Sequence, residues 1–124
     1  MTIELNWESK QLLWVKYQDM VYGQELLDTT LALSGDRRFE ELRYILSDWS
    51  EIKKTNISTS HVTELAAYIA AIAETNQRIK NATVTSKDEA GQSLAVFYQH
   101  LTEEISWDVD FFSSALEARE WFDR

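Results

Sequence analysis

Leu42-Arg-Tyr-Ile-Leu-Ser-Asp48 opens the stretch that decides the fold. The polar run Asp48-Trp-Ser-Glu-Ile-Lys-Lys-Thr-Asn-Ile-Ser-Thr-Ser-His61 follows, and the stretch continues to Ser86. Tyr44, Ile45 and Leu46 are nearly continuous apolar residues bounded by polar ones. That composition predicts a central strand, over Arg43 to Trp49, covered on both faces. Beyond the polar run, Val62, Leu65, Ala66, Ile69, Ile72 and Ala73 recur at spacings of three and four, the period of a helix with one buried face. Ser58 or Ser60 can supply its N-cap hydroxyl. Ala82 and Val84 mark another short strand, which completes a β-α-β unit. In such a unit the loop from strand to helix, here Asp48 to His61, opens onto the crevice where α/β proteins hold ligands or partners.

Outward from that unit the pattern repeats. Ile3, Leu5 and Trp7 alternate with polar residues over 2–7, and 11–18 form a second strand rich in aromatic and branched residues. With only Glu8-Ser9-Lys10 between them, the two strands form an antiparallel hairpin. Gly23 breaks the pattern, and Gln24 to Leu33 places Leu26, Leu27, Thr30 and Leu31 on one helical stripe, closed by Gly35 as a C-terminal cap. Ala90, Leu94, Phe97, Tyr98, Leu101 and Ile105 form a third stripe. Val109 and Phe111 mark a last strand, and Ser113 or Ser114 caps a terminal helix through Phe122. The order β-β-α-β-α-β-α-β-α predicts one α/β domain over 1–124. Its mixed sheet begins with an antiparallel hairpin, continues with parallel strands, and packs against about four helices.

Composition narrows the function classes. A chain of 124 residues with 44% hydrophobic content has enough apolar material for a packed core. Its net charge of -9 disfavours nucleic acid, which needs a concentrated basic surface; Lys53-Lys54 and Arg78/Lys80/Lys87 are too thin to reverse that. The chain has no cysteine, so disulfides, thiolate metal sites and cysteine nucleophiles are excluded. Without an apolar run of transmembrane length or a basic-then-apolar leader, the expectation is a soluble, cytoplasmic protein. The sequons at Asn56 and Asn81 read as coincidence in that setting.

The ordered set of elements resembles the SpoIIAA-like superfamily, which includes STAS domains and, more distantly, the SEC14 (CRAL-TRIO) fold. The resemblance rests on Ile3-Glu-Leu-Asn-Trp7 with Leu13-Trp-Val-Lys-Tyr17, and on Gly23-Gln-Glu-Leu-Leu27. It continues through Arg38-Phe39 before Tyr44-Ile-Leu-Ser-Asp48, Ile57-Ser-Thr-Ser opening a long helix, and Thr83-Val-Thr opening another. The closing Phe111-Phe-Ser-Ser-Ala-Leu-Glu-Ala-Arg-Glu-Trp-Phe122 completes it. In anti-sigma-factor antagonists of this superfamily an Asp-Ser-Ser-Gly motif opens the corresponding helix, and its second serine is phosphorylated. That motif falls on Ser58-Thr59-Ser60-His61, with Ser60 matching the phosphorylated position; Ser58, Thr59 and His61 depart from the pattern. The resemblance implies a non-catalytic regulatory or protein-interaction domain with a protein partner.

On physical grounds a phosphate on Ser60 would gain from the helix N-terminus and could pair with Lys53 or Lys54. The plainer reading makes Ser58, Thr59 and Ser60 helix-capping hydroxyls. The expected interaction face comprises Ser50 and Ser58 to His61. Several aromatics (Trp14, Tyr17, Trp49, Phe97, Tyr98, Trp107, Phe111, Phe112) exceed what a small core requires. They support an alternative in which the domain carries or senses a small apolar, lipid-like ligand between helix and sheet. Trp49 and Trp107 stand out as strand-boundary residues with one ring edge able to reach solvent. His61 and His100 form no metal-ligand spacing, and Glu103-Glu104 and Asp108/Asp110 lack the burial that would make a catalytic carboxylate pair. No phosphate-cradling glycine loop or nucleophile elbow is present, so neither catalysis, a metal nor a cofactor is expected. An amphipathic helix or an edge strand could pair two copies.

Overall fold

Ile45 and Leu46 are adjacent in sequence and buried on opposite faces of one strand. A strand buried on both sides needs a layer of helix above and below it, and the rest of the chain supplies both. A computed structural model describes residues 3–85 and 89–124. Its strands are β1 (Ile3–Trp7), β2 (Leu12–Tyr22), β3 (Tyr44–Asn56), β4 (Lys80–Val84) and β5 (Asp108–Phe112). Its helices are α1 (Gly23–Ser34), α2 (Thr59–Ala73), α3 (Glu89–Leu101) and α4 (Ala115–Phe122), and a single 3-10 turn spans Arg37–Glu41. The element order and the mixed sheet are those the sequence predicts. The sheet runs β1-β2-β3-β4-β5, with β1 antiparallel to β2 and all later pairings parallel.

Each parallel neighbour is reached by one helical crossover, and α1, α2 and α3 all return across the same face. There Leu26, Ile69 and Ile72 pack with Leu13, Val15, Tyr17 and Ile45. The helix α4 follows the last strand and takes the opposite face, where Ala118 and Phe122 cover Leu46, Ala82 and Val84. Below the sheet, Asn76 is a junction. Its side-chain amide donates to the carbonyls of Phe39 and Leu42, both at 2.9 Å, while its own carbonyl accepts from Trp107 Nε1 at 2.7 Å.

The main departure from expectation lies in the polar run after Asp48. It is strand, not loop: β3 continues to Asn56, leaving Ile57 and Ser58 as the connection to α2. Two register shifts explain why alternation fails to reveal it. The pairing steps from Lys16↔Asp48 to Gln18↔Glu51, then from Asp19↔Ile52 to Met20↔Lys54, so β3 twice gains a residue on β2. Trp49 and Ile52, three apart, therefore both turn toward the core. Buried Asp48 holds the first shift in place. Its carboxylate accepts from the Ser50 amide (3.0 Å), the Ser50 hydroxyl (2.6 Å) and Trp14 Nε1 (3.3 Å). At the second shift Asp19 adopts φ 56°, a left-handed conformation that aspartate tolerates better than most residues. Beyond Tyr17 and Asp48, the β2–β3 ribbon extends past its neighbours β1 and β4.

Smaller differences follow from local geometry. Gly35 caps α1 with φ -90°, in right-handed backbone, so no left-handed cap is formed. Leu31 is 49% exposed and stands off the buried stripe of Leu26 and Leu27. α3 ends at Leu101, and Ile105 reaches the core from the following turn. The side chain of Ala90 and all of Ser86 lie outside the described residues. Ser114 is the α4 cap, accepting from the Glu117 amide at 3.2 Å. Asn81 of the second sequon is buried within β4.

Arg119 of α4 forms a bidentate pair with Glu8, at 2.9 and 2.6 Å, tying the hairpin turn to the last helix. The Arg119 hydrogen bonds hold the Glu8 carboxyl below its usual range. Since that pKa is lowered in the folded state, the pair contributes its full stability above the ordinary glutamate range and loses it as pH falls from there through the lowered value. Arg119→Gln should therefore lower Tm at pH 7, by no more than the equivalent of ~1 kcal/mol for so exposed a pair. At pH 3 the gap to the parent chain should shrink; thermal melts at both pH values check this.

Candidate functional site

β4 is buried on both faces but is not apolar on both. Ala82 and Val84 face α4, while Asn81 and Thr83, with Thr85 just beyond, face the three crossover helices. These side chains are short. Beside them on β2 and β3 stand Tyr17 and Trp49, whose rings stack at 4.8 Å with a 33° tilt. These rings and the short side chains of β4 border one space between the sheet and the helices. It is a partly enclosed cavity of about 100 Å³. Leu26 and Leu33 of α1, Val62, Leu65 and Ile69 of α2, and Leu94, Ala95 and Tyr98 of α3 line its helical side.

The lining is apolar with a few neutral polar groups. Among the described residues no Asp, Glu, Lys, Arg or His borders the cavity, in a chain whose charged content is 27%. Most of the polar groups have partners. Asn81 donates to the Ile45 carbonyl and the Ser47 hydroxyl, both at 3.2 Å. Thr29 and Thr30 bond back to carbonyls of their own helix at 2.8 and 3.0 Å. Three hydroxyls, on Tyr17, Thr83 and Tyr98, have no hydrogen-bond partner among the described residues, yet none is sealed from contact. Burial pushes the Tyr17 and Tyr98 phenols well above the usual tyrosine value, and for Tyr98 the nearby Tyr17 adds to the effect. Both stay protonated and can donate.

The residues singled out from sequence divide between two places. Trp49 lines the cavity from within β3, not from a strand boundary. Trp107 also lines it, but at 4% exposure, with its indole N–H bonded to Asn76, it has no free edge toward solvent. Ser50, Ser58, Thr59, Ser60 and His61 lie elsewhere. Ser50 is bonded to Asp48 at the first register shift. Strand separates it from the α2 N-terminus, about 20 Å along the chain at ~3.3 Å per residue. Ser50 and Ser58–His61 are thus not one contiguous face along β3.

At the start of α2, Ser58 is the cap. Its hydroxyl accepts from the His61 amide at 3.2 Å, and His61 Nδ1 accepts from the Ser58 amide at 3.0 Å. Here histidine supplies the return contact that glutamate or glutamine commonly makes in a capping box. The His61 ring lies over Gly23, where an added Cβ would overlap the imidazole. Thr59 and Ser60 are exposed in the first turn, and the Ser60 hydroxyl makes no hydrogen bond among the described residues. His100 is exposed beside Glu103 at 3.9 Å. Glu104, Asp108 and Asp110 are also exposed, and no cluster of potential metal ligands occurs among the described residues. No described helix is long and apolar enough to cross a membrane.

The roles of the serines separate on mutation. Ser58→Ala should destabilise by about 1 kcal/mol, the usual loss for a cap, whereas Ser60→Ala should stay within ~0.5 kcal/mol in denaturant melts. Gly23→Ala should cost about 1–3 kcal/mol through overpacking, and adding His61→Ala should recover part of it by vacating the space. Comparison with protein-family models, curated proteins and solved structures found no match.

Proposed function

We propose that this protein binds a small, uncharged, largely apolar molecule between its sheet and its three crossover helices, as a carrier or a sensor. The observation that carries the reading is the cavity itself: Tyr17, Trp49 and the short side chains of β4 border it from the sheet, apolar residues of three helices border it from the other side, and no described charged residue borders it. A cavity of about 100 Å³ is several times the space a single water needs. Apolar cavities of about 150 Å³ take up benzene; this one is smaller but only partly enclosed, so a short chain, or a single ring reaching toward the open side, is the appropriate scale. Binding, not turnover, is the activity proposed, since among the described residues of the lining no nucleophile stands beside a base.

The regulatory reading suggested by the SpoIIAA-like resemblance has less to stand on. Ser58 and His61 are engaged in capping α2, which leaves exposed Ser60 as the position such a switch would use. The sheet order and the one-sided crossovers remain consistent with a SpoIIAA-like relationship, which forms part of this proposal, and a ligand-sensing role is compatible with it.

Ethylbenzene tests the reading. At tenfold excess over Kd a ligand of the folded state adds ~1.4 kcal/mol of stability. For a chain of this length that should appear as a Tm rise of about 5 °C. Ala95→Trp, placed to fill the cavity from α3, should melt at or above the parent temperature and lose the ethylbenzene response. An unchanged parent Tm at saturating ethylbenzene, or an equal response from both chains, would sink the reading.

A further inference from the structure

The three unpartnered hydroxyls make the cavity more selective than an apolar lining requires. Tyr17 comes from β2, Thr83 from β4 and Tyr98 from α3, so three separate elements bring hydroxyls to one space. Phenylalanine and valine would fill the same volume without a polar group to satisfy. None of the three hydroxyls is sealed from contact, so each is open to an oxygen atom bound in the cavity, and a ligand that displaces water from them without offering such an oxygen loses a hydrogen bond. Resting on the binding function proposed above, we infer that the ligand is a neutral molecule bearing one hydrogen-bond-accepting oxygen, a ketone, ester or alcohol, held by the Tyr17 and Tyr98 hydroxyls while its hydrocarbon part lies against Trp49, Leu65 and Leu94.

The lining excludes the two commonest alternatives. A carboxylate entering this space would lose its hydration without meeting a described cation. An amine would find no described carboxylate. Burial raises the two phenols instead of lowering them, so they remain donors and do not become phenolates that would attract a cation. A pure hydrocarbon would fit the space but leave the hydroxyls unsatisfied.

Three probes of similar shape separate the terms: ethylbenzene (hydrocarbon only), acetophenone (one carbonyl oxygen added) and benzoate (charged). Affinities come from ligand-observed NMR titration and quenching of tryptophan fluorescence. Acetophenone should bind about tenfold tighter than ethylbenzene, the return on one satisfied hydrogen bond, and benzoate should show no saturable binding. Tyr17→Phe and Tyr98→Phe should each narrow the ratio of acetophenone to ethylbenzene affinity, each variant's ethylbenzene affinity serving as its own reference. Circular dichroism melts verify the fold, and either variant alone suffices if the other does not fold. Equal binding of ethylbenzene and acetophenone, or an advantage untouched by both substitutions, overturns the oxygen-binding role and leaves the cavity's function intact. Saturable benzoate binding overturns the neutrality of the ligand. Failure of all three probes to bind overturns the cavity's function as well.

Discussion

Burial of β3 and β4 on both faces is the constraint from which the remaining architecture follows. A parallel sheet in strict sequence order sends every crossover helix to the same side, so α1, α2 and α3 crowd one face. The other face would be bare without α4, whose Ala118 and Phe122 close over Leu46, Ala82 and Val84. The division of labour is uneven: one short helix seals its face with rings against rings, Phe122 on Tyr44 and Trp121 on Phe112, while three longer helices meet a face that mixes large rings with short polar side chains. The cavity lies on that mixed face. It needs no special loop or inserted element: Tyr17 and Trp49 border it together with the shorter Asn81 and Thr83.

Much of this was legible from residue spacing. The hairpin, the three crossover helices and the parallel strands all follow from periodicities of two and three to four, and the serine before α4 announces its cap. The long arm of β3 was not legible, because a β-strand is recognised by alternation and this one twice breaks step. Trp49 and Ile52 both face inward at a spacing of three, which suits neither a regular strand nor a helix of so polar a composition. The site was half visible. Aromatic excess offered a cavity between helix and sheet as the alternative to a plain core; Tyr17, Trp49, Tyr98, Trp107 and Phe111 do border one, whereas Trp14 and Phe112 pack on the α4 face. The signal overlooked was in β4, where Asn81, Thr83 and Thr85 alternate with Ala82 and Val84 in a strand covered on both sides. Polar residues at every second position of a doubly buried strand must be either bonded in pairs or turned into a space, and Thr83 is the latter.

Serine and histidine at the head of α2 illustrate the opposite case. A hydroxyl-rich segment at a helix start invites a functional reading, and the resemblance to phosphorylated switch proteins sharpens it. In the folded chain Ser58 and His61 satisfy each other's backbone amides, and the imidazole also takes the volume above Gly23. His61 thus has a local physical use, in joining the starts of α1 and α2.

The part of β2 and β3 that outruns the rest of the sheet has a bearing on solubility. Over Gln18 to Tyr22 and Glu51 to Asn56 the two strands pair only with each other among the described residues, so backbone donors and acceptors line both outer edges. Such an edge recruits other chains into a growing sheet unless something spoils the register. Here the register is spoiled twice by extra residues. The ribbon also carries Lys16 against Glu51 (2.9 Å) and Lys53 against Asp19 (3.6 Å), with Lys54 exposed alongside. The irregular pairing that hid this strand from a reading of its alternation also guards the chain against edge-to-edge aggregation.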